Sequence, residues 1–321
     1  MLRIVIPVKN MDKYINKCLD SALKNKKITT EIIVIDFGST DNTISIIKKY
    51  IDKNKNIKLI TGKANNVCEA RNIGIKMSKY NYITFMDADD YIDNDYYSYI
   101  VFEMINSKSD LGFSDYRDVG EDDSNIAFES DYSCIPLTKI NNGNILLSIT
   151  SKVNCESWNK VYLKKIILDN SVFFDDSHGI NGEDLLFNLI YLRYVNCVSY
   201  IKNVFYNHLI RKNSLGKINI DLSKRFCYIV NYLEKSSDSY KYKKIIPSLF
   251  STLMMQDLKR KDETQIYACY EKYKETSNFN KYMIGSIFTK RNTLKRKFVC
   301  LLFLAKCEKI VLRKLVEDYY E

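Results

Sequence analysis

Short apolar runs alternate with amphipathic stretches through the first third of the chain. The apolar runs predict buried β-strands at Leu2–Val8, Glu31–Ile35, Ile57–Thr61, Tyr82–Met86 and Leu111–Tyr116. Between them, apolar residues recur at helical spacing, which predicts helices over Lys13–Lys24, after Ser39-Thr40-Asp41, over Val67–Met77 and over Asn94–Ile105. This order of strands and helices requires right-handed crossovers and is typical of an α/β domain whose mostly parallel sheet is flanked by helices.

The pattern changes twice further along the chain. Residues 117–150 are polar and irregular, and residues 151–215 return to mixed strands and helices. From about Asp221 onwards the spacing is helical to the end, with little strand signal. We therefore expect an α/β domain over residues 1–217 and a smaller, all-helical accessory domain over residues 218–321.

Composition narrows the classes of function. With 46% hydrophobic and 27% charged residues, the 321-residue chain has the apolar content of a folded protein. Its 9 cysteines are irregularly spaced and include no Cys-x-x-Cys pair, so they indicate neither a disulfide framework nor a zinc site. The net charge of +10 is spread over many lysines without an aromatic-interleaved stripe, and we expect no nucleic-acid partner. Without a bilayer-length apolar run or a signal peptide, a cytoplasmic location is expected.

Three carboxylates follow the fourth predicted strand directly, in Asp87-Ala88-Asp89-Asp90. In parallel sheets ligands bind where the strands end, and carboxylates gathered there repel one another unless a cation lies among them. Mg²⁺ and Mn²⁺ prefer such oxygen ligands and complete their shells with water and phosphate oxygens. The alternative is a solvated acidic turn that begins the next helix.

Two other acidic segments each allow a chemical and a structural interpretation. Glu183-Asp184 stands before the apolar run Leu185–Tyr191, where a carboxylate can cap a helix, take a proton from a hydroxyl nucleophile, or do both. Asp36 follows the second predicted strand and precedes Gly38. Glycine lets a ligand approach the backbone there, and the carboxylate can accept hydrogen bonds from a ribose or a base.

Taken in order, these segments resemble the family-2 glycosyltransferases, which have the Rossmann-like GT-A fold. The resemblance rests on Ile4–Asn10, Glu31–Asp41, Ala70–Gly74 and Phe85–Asp90, and later motifs are similar at Glu183-Asp184 and from Tyr206 to Ser214. It covers about residues 1–215. It implies an inverting transferase that uses Mn²⁺ or Mg²⁺ and a nucleotide-diphosphate sugar, by default a UDP-sugar. The implied acceptor is a glycan or lipid-linked glycan, in the synthesis of bacterial surface polysaccharide.

The resemblance also implies roles for individual residues. Asp184, with Glu183 beside it, would be the catalytic base, Asp89 and His208 would ligate the metal, and Trp158 would line the acceptor side. Nucleotide contacts are implied for Pro7, Val8, Asp36, Phe37, Arg71, Asp87, Ala88 and Arg211. A guanidinium matches phosphate oxygens, which is the physical reason for the two arginines. For the arginines, the histidine and the tryptophan, ordinary packing is the alternative.

Two positions depart from the family's pattern. Lys9 stands where many members have a tyrosine, and Phe37 stands where they have a second aspartate that can read the uracil edge. Phe37 accepts no hydrogen bond, although its ring can stack on a base. The identity of the nucleotide is therefore open.

The C-terminal segment carries its own charge pattern. Within Thr289–Glu321, 9 basic residues and 4 acidic ones surround the apolar run Phe298–Ala305. Residues 290–316 can therefore lie on an anionic membrane, which would place the protein at the inner face of the plasma membrane, or pack as a buried helix. The Tyr-rich helices before this segment favour a homo-oligomer.

Two other functions stay open. A nucleotidyltransferase that makes sugar nucleotides shares the phosphate and metal chemistry, but it needs a Gly-rich, basic N-terminal loop that Pro7-Val8-Lys9-Asn10 lacks. A catalytically lapsed scaffold protein accounts for Lys9 and Phe37, but it gives no reason to retain Asp87, Asp89 and Asp184.

Overall fold

The computed structural model describes residues 1–121, 125–126, 156–175 and 183–211, and, nearer the C-terminus, a pair of helices with isolated helical positions around them. The chain divides into two compact units, of which the first holds all described residues up to Arg211. The second includes the helices Glu263–Lys274 and Phe279–Phe288. The domain boundary at residue 217 and an all-helical second domain stay predictions, as does the homo-oligomer. Residues 290–316 lie almost entirely outside the described residues.

Up to the fourth helix, strands and helices of the first unit alternate as the sequence pattern predicts, except for one additional short strand before that helix. In chain order they are β1 (Leu2–Val8), α1 (Ile15–Ala22), β2 (Thr30–Asp36), α2 (Thr43–Lys53), β3 (Ile57–Ile60), α3 (Val67–Met77), β4 (Tyr82–Phe85), β5 (Tyr91–Ile92), α4 (Tyr96–Ser107), β6 (Leu111–Gly120), β7 (Asn125–Ile126), β8 (Lys160–Leu163), α5 (Lys164–Asp169), α6 (Glu183–Tyr191), a 3-10 turn (Leu192–Tyr194) and β9 (Val198–Ile210).

The described strands form one sheet in the order β3-β2-β1-β4-β8-β6-β9-β5, with β7 paired to β6. Strand β1 pairs in parallel with β2 and β4, and β2 pairs in parallel with β3. The chain therefore builds outwards on one side of β1 and then crosses to its other side to form β4. Strand order reverses between β1 and β4, and in such sheets the loops after these strands bound the ligand crevice.

Beyond β4 the sheet is mixed, which corrects the expectation of a mostly parallel sheet. Strand β8 runs antiparallel to both β4 and β6, whereas β6 runs parallel to β9. Strand β6 also continues to Gly120, into the segment expected to be irregular, because its polar residues pair with β9 in register: Arg117 stands opposite Asn207 and Asp118 opposite His208. The polar residues at the end of β6 do not predict a strand by themselves, because the strand forms there by pairing with β9, about 90 residues further along the chain.

Close packing of α3 on the sheet determines where its side chains lie. A Cβ added at Gly74 would stand 2.4 Å from Cγ1 of Val5 in β1, so only glycine lets the helix approach this closely. Arg71 lies one helical turn before Gly74 and is 3% exposed. The same helix thus carries an arginine into the protein interior beside the central strands.

None of the helices that the structure describes combines the length and the apolar character needed to cross a bilayer. The cysteines it describes are free thiols: Cys18, Cys68, Cys197, Cys269 and Cys300.

Candidate active site

After β4 the chain passes through Asp87-Ala88-Asp89-Asp90, which we call the acidic turn. The carboxylate of Asp90 holds this turn to β9. The Asp87 N–H donates to Tyr206 Oη at 3.1 Å, and that hydroxyl donates to Asp90 Oδ2 at 2.8 Å. The other oxygen of Asp90 accepts the Leu209 N–H at 2.8 Å. Asp90 is 1% exposed, and burial, followed by the charge of Asp89, raises its pKa well above the usual range. Asp90 therefore has a structural role, which leaves Asp87 and Asp89 for chemistry.

Replacing Tyr206 by Phe is expected to lower the free energy of unfolding by about 1–3 kcal/mol, because it removes the partner of two buried polar groups. Urea unfolding followed by circular dichroism measures the loss. Tyr267→Phe, at a position that is 43% exposed, is the control and should change stability by less than about 0.5 kcal/mol. An unchanged midpoint for Tyr206→Phe would mean that this hydroxyl does not hold the turn.

Arg71 brings the two acidic segments together. Its Nη2 lies 3.1 Å from Asp87 Oδ1, and its Nη1 lies 2.8 Å from Asp184 Oδ1 and 3.6 Å from Glu183 Oε1. The acidic turn after β4 and the first turn of α6 therefore share one buried cation. A nucleotide contact by Arg71 stays a prediction, and in this structure its guanidinium is engaged with carboxylates.

Burial and the charge of the ion-pair partner shift the pKa values of Asp184, Asp87 and Arg71 in opposite directions. Burial raises the pKa of Asp184, whereas Arg71 lowers it and the charge of Asp87 raises it further. Burial likewise raises the pKa of Asp87 against the opposing charge of Arg71. For Arg71 burial lowers the pKa, but Asp184, Asp87 and Glu183 outweigh it and the pKa is raised. The result is a permanently charged arginine between carboxylates that are better proton acceptors than ordinary aspartates.

Asp89 faces a second arginine. Nε of Arg211, at the end of β9, lies 2.7 Å from Asp89 Oδ2, and its guanidinium lies 5.3 Å from the ring centroid of Tyr14. Tyr14 Oη in turn donates to Glu121 Oε1 at 2.7 Å. Arg211 therefore lies beside the acidic turn, at the point where the loop after β1 and the ends of β6 and β9 meet.

The loops after β1 and β2 form the opposite rim of the crevice. Asp36 is 3% exposed, and its carboxylate accepts the N–H groups of Gly38 at 3.1 Å and Ser39 at 3.2 Å. The Phe37 N–H donates to the Val8 carbonyl at 3.1 Å, and Lys9 Nζ lies 5.9 Å from the centroid of the Phe37 ring. Lys9 and Phe37, which depart from the family's pattern, are thus neighbours. The Asp36 carboxylate accepts hydrogen bonds from the backbone of its own loop and so stabilises that loop.

Sequence reasoning missed the residues that tie these two loops together. Asn10 Oδ1 accepts the Thr40 N–H at 2.7 Å, and the Asn10 N–H donates to Ser39 Oγ at 3.0 Å. Asn10 has φ of +54°, a left-handed conformation that asparagine tolerates better than most residues. The only sequence signal for this loop is therefore the asparagine itself, directly after the first strand. Asp41 accepts N–H groups from Asp12 at 3.1 Å and Thr43 at 2.9 Å, and α2 begins at Thr43, after Ser39-Thr40-Asp41 as expected.

Trp158 packs against both Tyr206 and His208. Trp158 is 3% exposed, and its ring stacks on Tyr206 at 4.4 Å and on His208 at 5.3 Å. His208 Nδ1 lies 2.9 Å from Asp118 Oδ1. Burial lowers the pKa of His208, but Asp118 and nearby carboxylates outweigh it and raise the pKa to about 9. The metal role of His208 and the acceptor role of Trp158 stay predictions.

The donor set at the acidic turn suits a hard divalent cation. Asp87 and Asp89 supply two carboxylates, and Mg²⁺ or Mn²⁺ takes one or two of these together with water and phosphate oxygens. Each carboxylate is paired with an arginine here. No group of three or more His, Cys, Asp or Glu side chains among the described residues is arranged to hold a metal by itself. Asp87 and Asp89 supply the carboxylates that such an ion prefers, and water and phosphate oxygens would complete its shell.

Comparison with known proteins identifies the family. The profile described as "Glycosyl transferase family 2" matches residues 3–166, about half of the chain. The chain belongs to glycosyl transferase family 2. A similar curated protein is the glycosyltransferase GlyA of Streptococcus pneumoniae, which is 28% identical over 223 residues. The match covers 68% of this chain but 32% of GlyA, so this family-2 chain spans about a third of that relative.

Solved structures show the fold. TarS of S. aureus, residues 1–349 in complex with UDP-GlcNAc, aligns with a TM-score of 0.71 and 19% identity over 99% of this chain and 91% of that one. The mannosyltransferase PcManGT of Pyrobaculum calidifontis, in complex with GDP-Man and Mn²⁺, aligns with a TM-score of 0.59 and 12% identity over 99% of this chain and 84% of that one. The predicted GT-A fold is confirmed.

Proposed function

We propose that this family-2 protein transfers a sugar from a nucleotide-diphosphate sugar to a hydroxyl of a glycan or lipid-linked glycan, with inversion at the anomeric carbon. The observation that carries the proposal is the pairing of Arg71 with both Asp87 and Asp184. It brings a carboxylate at the ligand edge of the sheet and a carboxylate at the start of α6 to one buried cation. A donor-binding group and a proton acceptor thus stand within one site.

The donor side consists of the acidic turn and the loops after β1 and β2. Asp87, Ala88, Pro7, Val8 and Asp36 would contact the nucleotide, with Phe37 beside the base and Arg211 near the diphosphate. The complex of TarS with UDP-GlcNAc supports a UDP-sugar as the default donor, whereas that of PcManGT with GDP-Man shows that the fold also accepts guanosine. A bacterial surface polysaccharide as the product stays a prediction.

Asp87 and Asp89 would hold Mn²⁺ or Mg²⁺. When bound, the ion supplies positive charge that stabilises the leaving nucleoside diphosphate. Removing divalent cations with EDTA is expected to lower the transfer rate about tenfold or more, and added Mn²⁺ should restore it. Initial rates of nucleoside diphosphate release measure this. A full rate in EDTA-treated, metal-free buffer would contradict the assignment of these two carboxylates.

Asp184 would accept the proton of the attacking hydroxyl. Its burial in the first turn of α6 raises its pKa, which strengthens it as a base, while Arg71 keeps it ionised and holds its orientation. Attack on the face opposite the leaving diphosphate inverts the anomeric centre. Glu183 lies beside it and shares Arg71 at the longer distance of 3.6 Å.

A donor panel tests the function directly. The full chain is incubated with UDP-GlcNAc, UDP-glucose or GDP-mannose, Mn²⁺ and a mixture of oligosaccharide acceptors, and nucleoside diphosphate release is measured with and without acceptor. We expect acceptor-stimulated release with at least one donor. Pyrophosphate release from a nucleoside triphosphate and a sugar-1-phosphate, without activity on the panel, would favour the nucleotidyltransferase. No turnover in either assay, from protein that binds nucleotide, would favour a lapsed scaffold.

A further inference from the structure

Helix α4 exposes an apolar stripe on the side that faces away from the core. Its inner side is buried, as at Tyr97, Ile100 and Met104. On the outer side Tyr99 is 39% exposed, Phe102 is 40% exposed and Ile105 is 53% exposed. A surface helix normally carries polar residues at such positions. We call Tyr99, Phe102 and Ile105 the α4 stripe.

Lysines lie at both ends of the α4 stripe. Lys27 Nζ donates to Tyr99 Oη at 2.8 Å and lies 4.4 Å from the ring centroid. Lys24 and Lys26 are exposed in the same segment, and Lys108 is exposed at the C-terminal end of the helix.

This lysine segment is fixed against the start of α4. The Asp95 carboxylate accepts the N–H groups of Lys26 at 2.9 Å and Lys27 at 3.2 Å. Asn25 Oδ1 accepts the Tyr97 N–H at 2.8 Å. The lysines are therefore positioned beside the stripe by the fold rather than by chance contacts of long side chains.

The charge around the α4 stripe is positive. Lys24, Lys26, Lys27 and Lys108 are exposed around the stripe, whereas the nearest carboxylates, Asp95, Glu103 and Asp110, are all partly buried. Asp95 is engaged with the lysine segment, and Asp110 accepts the N–H groups of Asn196 and Cys197. Asp20, one helical turn before Lys24, is exposed but accepts the Tyr50 hydroxyl of α2. The partner that complements this surface presents negative charge next to an apolar layer.

We propose that the α4 stripe and its lysines form a docking surface for an anionic lipid membrane. Tyrosine and lysine prefer the headgroup level, and Phe and Ile reach the acyl boundary below it. A second copy of the chain fits less well, because a stable dimer needs about 800 Å² per partner and a basic surface does not complement itself. The proposal goes beyond the proposed function and does not depend on the donor or the base.

Vesicle flotation of the full chain tests this surface. Vesicles of phosphatidylcholine alone are compared with vesicles of equal parts phosphatidylcholine and phosphatidylglycerol. We expect binding to the anionic vesicles that weakens as salt is added. Phe102→Glu combined with Ile105→Glu should lower the partition coefficient about tenfold or more, since it removes the apolar contact and adds repulsion. Lys24→Glu combined with Lys26→Glu should do the same.

Matched controls separate this surface from general effects of charge. Leu168→Glu changes a residue that is 42% exposed on α5, and Lys48→Glu with Lys53→Glu changes two exposed lysines around α2. Both controls should bind anionic vesicles within about twofold of the unchanged protein, and all variants should keep its circular dichroism spectrum. Three outcomes would overturn the proposal: no binding to anionic vesicles, full binding by both α4 variants, or equal losses in variants and controls. A dimer that the Phe102→Glu and Ile105→Glu pair dissociates, without vesicle binding, would overturn it in favour of a self-interface.

Discussion

Asp184→Asn is expected to lower kcat for sugar transfer by about 10²–10⁴-fold, the usual contribution of a positioned general base. Asparagine keeps the shape of the side chain and an oxygen that can accept from Arg71, so the fold should persist. The amide cannot take a proton from the acceptor hydroxyl. Initial rates of nucleoside diphosphate release with saturating donor and acceptor measure the change.

Two substitutions serve as comparisons for Asp184→Asn. Asp169→Asn, at an aspartate of α5 whose side chain is 55% exposed, should leave kcat within about twofold. Glu183→Gln should lower it less than Asp184→Asn, because Glu183 lies 3.6 Å rather than 2.8 Å from the Arg71 nitrogen that they share. If Glu183→Gln instead abolishes transfer while Asp184→Asn keeps it, the base has been assigned to the wrong residue of the pair.

Arg71→Met is expected to cost about 3–5 kcal/mol of the free energy of unfolding, because it leaves buried carboxylates without their cation. Arg71 is 3% exposed and lies within salt-bridge distance of Asp87, Glu183 and Asp184. Methionine fills a similar volume without charge, so cavity formation adds little. Urea unfolding measures the loss. Lys165→Met is the control, since its pair with Asp169 involves a lysine side chain that is 84% exposed and should be worth about 0–1 kcal/mol.

The loss in Arg71→Met should depend on pH in a defined direction. Burial already raises the pKa of Asp87 and Asp184, and without Arg71 both pKa values rise further. The folded variant then binds protons more readily than its unfolded chain, so its stability increases as the pH falls through the folded pKa values. We expect a smaller loss in mildly acidic than in mildly alkaline buffer. A loss that is the same at every pH would show that unpaired carboxylates are not its cause.

The first half of the fold could be predicted because its signal is local. Helix α3 lies at Val67–Met77 as predicted, and β1 at Leu2–Val8 likewise, since apolar periodicity and buried parallel strands are readable within short windows. Strands β5, β8 and β9 were not predicted, because pairing with distant segments stabilises them. Strand β5 has two residues, and β9 includes the exposed polar positions Lys202 and Asn203.

The sequence pointed to the acidic residues of the candidate site but not to the contacts that join them. The order of acidic motifs indicated Asp87, Asp89 and Asp184, yet nothing local indicates that Arg71 would be shared by Asp87 and Asp184 or that Asp90 would hold β9. These contacts join residues that are far apart in the sequence and become neighbours only in the folded protein. The α4 stripe has the same origin: the sequence shows an apolar helix, and only the fold shows which of its apolar residues remain exposed.

We propose that the acidic turn binds the nucleotide diphosphate and that Asp184 accepts the proton of the acceptor hydroxyl. Titration calorimetry of the full chain with UDP and with GDP, in the presence of Mn²⁺, tests it most directly on the unchanged protein, Asp89→Asn and Asp184→Asn. We predict that Asp89→Asn weakens binding of the preferred nucleotide about tenfold or more, while Asp184→Asn leaves it within about twofold. Equal affinity in all three proteins, or loss of binding in Asp184→Asn alone, would contradict the account.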